Sequence, residues 1–223
     1  MKTPTKTHSL LMEVLMEHMY DSVKLFENTI AEYAGSKYAI AVDSGTNAIF
    51  LCCKYLKVQE VTIPSQSFCS IAAATLHAGG DLKFRDYEWS GRFQLEPYPI
   101  WDSAGRFHRG MYIDDSHYCL SFHANKHLKI GKGGMILTND KNAAKWFNLA
   151  RYYGMQDAYS DEPGKIVMAG WNMIMTPDMA SRGLMLMNKM PDHNEDLNHP
   201  YPDLSILDIY EKEQYEMANN TPA

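Results

Sequence analysis

Two side chains in this sequence have the type and setting that covalent chemistry needs. Lys126 lies in Ser121-Phe122-His123-Ala124-Asn125-Lys126, just past an apolar run that reads as a strand. A lysine held away from bulk water loses part of its preference for charge and becomes a nucleophilic amine, able to form a Schiff base. Asp102 follows the apolar Pro99-Ile100-Trp101. A carboxylate there is costly unless it meets a cationic or protonated partner, such as a pyridinium nitrogen. Ser44-Gly45-Thr46 sits between a predicted strand and a predicted helix, where free N–H groups and a hydroxyl at the helix's positive end suit a phosphate. Phe68, after Pro64 and Ser65, could cover a flat ring. Each has a plainer reading taken alone: a capped helix, a surface aspartate, a loop lysine like Lys129 and Lys132, a core phenylalanine. Together they offer a phosphate turn, an aromatic, a carboxylate and an amine.

The elements that must position them alternate between short apolar runs and helical periodicities. Val23, Phe26, Ile30 and Tyr33 recur at helical spacing, and Gly35 supplies the stop. Residues 38–42, 61–63, 82–84, 99–101, 118–123 and 135–138 read as strands; 47–56, 71–77, 141–153 and 176–189 read as helices. Thr176-Pro177-Asp178 carries a capping hydroxyl, a proline at the first helical position and an early acid. Residues 190–202 read as a linker and 204–217 as an amphipathic last helix. The alternation predicts an α/β fold with a mostly parallel sheet covered on both faces, and ligands in such folds sit beyond the carboxyl ends of the strands.

At 223 residues the chain is long enough for one domain with a small appendage. The expected division is a large domain over 1–190, opened by a helical segment over 1–22, and a tail over 191–223. The net charge of −6 is concentrated at the end: from Asp192 onward there are eight acids and one base. No basic stripe of the kind nucleic-acid binders carry is present, and no apolar run approaches the ~20 residues of a membrane span. The start lacks the apolar stretch of a signal peptide, and the four cysteines form no C-x-x-C pair or disulfide scaffold. These features predict a cytoplasmic protein with reduced thiols. His123 and His127 stand four apart but lack a third ligand of suitable spacing, so no metal is expected. Gly131-Lys132-Gly133-Gly134 lacks the full spacing and ending of a phosphate loop and reads as a tight connection between strands.

In these same residues the sequence resembles the DegT/DnrJ/EryC1/StrS family of pyridoxal-phosphate aminotransferases, which act on nucleotide-linked keto-sugars. The resemblance is carried, in order, by Phe26-Glu27 with Tyr33-Ala34-Gly35, by residues 39–48, by 63–68 and by Ile100-Trp101-Asp102-Ser103-Ala104. The Lys126 block, residues 131–140 and Gly170-Trp171-Asn172 complete it, so it spans about 24–190. The resemblance implies an aspartate aminotransferase-like large domain, a three-layer sandwich, in a homodimer with its active site at the interface. It implies that Lys126 forms the Schiff base and later moves a proton, and that Asp102 pairs with the pyridine nitrogen. Gly45, Thr46 and Ser121 are then expected to hold the phosphate, Phe68 to stack on the ring, and Asn172 to reach the neighbouring subunit's cofactor. Arg106 and Arg109 are candidate anchors for a nucleotide diphosphate, or equally solvated charges, and His123 is a further candidate substrate contact.

Departures accompany the match. Gly105 stands where a Gln or His usually contacts the ring hydroxyl, and Ile174 where an arginine is common. The 24 residues from Asp102 to Lys126 are fewer than usual, a strand–helix unit before Asp102 is expected to be missing, and the tail is too short for the small domain. Asp115, only 11 residues before Lys126, is an alternative pyridine partner. The leading expectation is an aminotransferase using a donor such as L-glutamate. The alternatives are a catalytically weak or inactive cofactor-binding or regulatory relative, and a nucleotide-binding domain relying on the Gly131 loop.

Overall fold

A computed structural model of the chain describes residues 20–156 and 165–210. In chain order the elements are α1 (Asp21–Ala34), β1 (Tyr38–Val42), α2 (Gly45–Leu56), β2 (Glu60–Pro64), α3 (Cys69–His77), β3 (Asp81–Arg85), β4 (Phe93–Gln94) and β5 (Ile100–Asp102). They continue with β6 (His117–Ser121), β7 (Gly134–Thr138), α4 (Lys141–Ala150) and α5 (Pro177–Met187).

β1, β7, β6, β5 and β4 form one sheet in that spatial order, and β2 and β3 pair beside it. The hydrogen bonds Thr62 N–H to Glu96 O (2.8 Å) and Glu96 N–H to Thr62 O (3.0 Å) tie β2 to the segment after β4. β5 pairs with β6 in parallel, β2 pairs with β3 in parallel, and β7 runs antiparallel to both neighbours, β1 and β6. β1, β5 and β6 therefore point the same way and present their carboxyl ends at one edge. The reversal of β7 accords with its connection to β6 forming no helix, since a parallel return usually runs through one.

Alternate residues of the central strands enter two different cores. Ile40, Val42, Cys119 and Ile136 pack with Leu51, Cys52, Ile71 and Phe147 on the face covered by α2, α3 and α4. Ala39, Ala41, Tyr118, Leu120, Met135 and Leu137 pack with Phe26, Ile30 and Ala180 on the face covered by α1 and α5. Burial on both faces explains why these strands read as continuous apolar runs, and it makes the domain three layers deep. All four cysteines are free thiols, three of them buried.

Several boundaries differ from the sequence expectation. α4 ends at Ala150 rather than 153, β6 ends at Ser121 so that His123 lies in the following turn, and β4 is an additional strand. From β3 to β6 the chain forms no helix. The expected helix over 204–217 is instead two single turns of 3-10 helix, Leu204–Ile206 and Asp208–Tyr210, with 211–217 outside the described residues. Leu204 is buried, but Ile206 and Ile209 remain mostly exposed; without an apolar face to bury, a helical period gains little from tertiary packing. The N-terminal helical segment expected over 1–22 lies outside the described residues up to position 19.

Candidate active site

At the shared carboxyl edge of β1, β5 and β6 opens a cavity of about 470 Å³, a size ordinary for small-ligand sites. Its wall includes Ser44, Gly45, Thr46, Phe68, Ser70, Asp102, Ser121, His123, Asn125, Lys126 and Lys132, together with His199, Pro200 and Tyr201 from the tail.

One end of the cavity is built by the turn from β1 into α2. The Ser44 side chain caps α2 by accepting from Asn47 N–H (3.2 Å), which leaves Gly45 and Thr46 at the positive helix end on the cavity wall. Gly45 packs so closely on β6 that an added Cβ would lie 2.9 Å from Ser121 Cβ. Gly134 has the same role in the facing loop, where a Cβ would meet the Ser44 carbonyl carbon at 2.4 Å. The glycine-rich loop is thus a close backbone packing against the Ser44–Thr46 turn, and it places Lys132 on the cavity wall.

Asp102, the last residue of β5, is buried, and its Oδ1 accepts from Ala104 N–H (2.9 Å). Burial raises its carboxyl above the ordinary value, partly offset by that hydrogen bond and by the charge of Lys126. Lys126 sits on a turn closed by its N–H donating to His123 O (2.9 Å). Burial lowers the Lys126 amine and the Asp102 charge pulls it back up. Each group therefore feels the other across one desolvated space. Asp115, the alternative carboxylate, lies exposed in a left-handed turn (φ 59°) before β6.

Phe68 borders the cavity half-exposed, its ring 6.0 Å from that of Tyr201. His123 Nδ1 lies 2.8 Å from Asn125 Oδ1, and Thr46 Oγ1 donates to Ser70 Oγ (3.0 Å). Three expected site residues stand elsewhere. Asn172 is exposed, next to Tyr152, and does not line this chain's own cavity. Arg106 forms a two-pronged ion pair with Asp196, its Nε donating at 2.8 Å. Arg109 Nε donates to Asp192 Oδ1 (2.6 Å). Both guanidinium groups thus hold the acidic tail. That pairing draws the tail across the cavity and brings in His199 and Tyr201, which sequence reasoning missed; their only signal was the acidic run opposite two arginines.

This architecture defines an α/β domain of the aspartate aminotransferase type with a desolvated lysine and a buried carboxylate at its strand ends. The chain belongs to the DegT/DnrJ/EryC1/StrS aminotransferase family, whose profile matches residues 6–97 and 113–201. It is 25% identical over 218 residues to GDP-perosamine synthase of Caulobacter vibrioides, covering 75% of this chain and 57% of that protein. Its fold superposes on AtS13 from Actinomadura melliaura with a TM-score of 0.67 at 20% identity, over 76% of this chain and 60% of that one. A putative sugar aminotransferase of Streptococcus pneumoniae in its PLP-form superposes with a TM-score of 0.62 at 17% identity, over 76% and 59%. The chain therefore spans less than two thirds of these relatives' length.

Proposed function

We propose that this chain is a pyridoxal-phosphate-dependent aminotransferase that moves an amino group from an amino acid, L-glutamate in the first instance, to a nucleotide-linked keto-sugar. The observation that carries the reading is that Lys126, Asp102 and the N-terminus of α2 face one cavity. The donor set fits the cofactor: amides and hydroxyls at a positive helix end for its phosphate, a carboxylate for its ring nitrogen, an amine for its aldehyde. When bound, the cofactor supplies an electron sink. Asp102 would hold the ring nitrogen in its protonated form, because its own burial favours a cationic partner. Lys126 would hold the cofactor at its aldehyde and, once freed by the amino donor, would carry a proton between carbon atoms. Asn172, exposed and away from its own cavity, completes the site of a second subunit in a homodimer.

The test is direct. Purified protein given pyridoxal phosphate turns yellow, borohydride fixes the cofactor on Lys126 as read by peptide mass, and glutamate bleaches the colour until a keto-sugar nucleotide restores it. A colourless protein sinks the proposal. A protein that colours but ignores glutamate supports the rival reading, a cofactor-holding relative without turnover.

A further inference from the structure

We propose that His199, delivered by the C-terminal strap, donates a hydrogen bond from Nε2 to the ring hydroxyl of the cofactor; the inference rests on the cofactor reading of the cavity given above. The strap is fixed at several points. Arg106 grips Asp196, Leu197 N–H donates to Gly105 O (2.8 Å), and Leu204 N–H donates to Ser65 O (2.8 Å). Gly105 is what lets it lie there: a Cβ at that position would come within 2.6 Å of Leu197 O and 2.9 Å of Gly91 O. Tail backbone fills the room that a side chain at 105 would need, and two residues further on the tail turns His199 into the cavity wall.

The Nε2 of His199 is buried and has no hydrogen-bond partner among the described residues. A buried ring nitrogen left unpaired is costly and calls for a partner. The hydroxyls of Ser67 and Ser103, buried and unpartnered too, do not line this cavity. On the ligand side, α2 accounts for the phosphate, Asp102 for the ring nitrogen and Lys126 for the aldehyde. The ring hydroxyl is the one polar substituent left, and among the described residues His199 carries the one buried, unpartnered nitrogen on the wall. His199 also lines a neighbouring cavity of about 480 Å³, with Gln66, Asp86, Glu88 and Trp89.

The experiment titrates the full chain with pyridoxal phosphate, following absorbance and, in ¹⁵N-histidine-labelled protein, the Nε2 resonance of His199. Binding is expected to shift that resonance. His199→Leu is expected to bind about tenfold or more weakly, as loss of a hydrogen bond to a charged oxygen implies, and with a displaced absorbance maximum. His199→Gln, which retains a donor, is expected to recover most of both, and His108→Gln, at a histidine away from this cavity, to change neither. Unaltered affinity and spectrum in His199→Leu, beside normal binding by the unsubstituted chain, overturns the inference alone, as does an equal loss in His108→Gln. Failure of the unsubstituted chain to bind overturns the cofactor reading and this inference with it.

Discussion

Asp102 and Lys126 titrate against their ordinary preferences because one desolvated space holds both. Burial raises the carboxyl and lowers the amine, each moving toward its neutral form. For Asp102 the raised folded-state pKa has a definite sign: the fold favours the protonated acid, so its contribution to stability is present at low pH and lost as pH rises through that pKa. Without cofactor, Asp102 is therefore a liability at neutral pH. Asp102→Asn, whose amide oxygen can still accept from Ala104 N–H, is expected to melt higher than the parent at pH 7, by about 2–4 °C for each ~1 kcal/mol relieved. The difference should shrink as pH falls toward the acid range. On the proposed function, the same substitution should lower transamination by about 100-fold, the scale on which positioned acid–base chemistry acts. Thermal melts across pH decide it: an asparagine variant less stable at pH 7 would sink the electrostatic account. At this scale the sequence was informative, because Lys126, Asp102, Gly45, Thr46, Phe68, Ser121 and His123 all meet at one cavity. For Asp102 the family profile offers no support, since its match breaks over 98–112. What supports Asp102 is its burial at a strand's end on the same cavity as Lys126.

At the scale of elements, local signals were read well and long-range ones poorly. Gly35 ends α1 in a left-handed turn (φ 84°), Ser44 caps α2 and Pro177 opens α5, all events confined to a few neighbouring residues. The tail was misread because its structure comes from contacts some 90 residues away: Arg106 with Asp196 and Arg109 with Asp192. No periodicity within 190–217 reports such pairing. If Gly105 is what admits the strap, Gly105→Ala must push against backbone on two sides, at a cost of about 1–3 kcal/mol for overpacking. Cleavage by a glutamate-specific protease after the exposed Glu195 should then quicken severalfold. Unchanged cleavage and an unchanged melting temperature would show that the strap does not depend on that vacancy. The anchor also has a pH signature. The Arg106 hydrogen bond lowers the pKa of Asp196, so the contact contributes above the ordinary carboxylate range and is lost only as pH falls through that depressed value.

For the whole molecule, the proposed homodimer sets one chain's cavity against another chain's surface. Asn172 belongs to the residues that carry the family resemblance, yet it stands exposed beside Tyr152, and its own chain's cavity is walled without it. A side chain so placed can act on a cofactor only across a two-fold interface, where each subunit gives the other what it receives. That geometry predicts complementation. Lys126→Ala and Asn172→Ala are each expected to be nearly inactive as pure dimers. In a hybrid, the site that keeps Lys126 faces the subunit that keeps Asn172 and is whole, while the other site has lost both. Random re-association of equal amounts makes about half the dimers hybrid, each with one intact site of two, so about a quarter of parental activity should return. Light scattering must show a dimer in the same sample. Activity that stays at the level of the separate variants, in a mixture proven to have exchanged subunits, would mean that Asn172 serves its own chain or none.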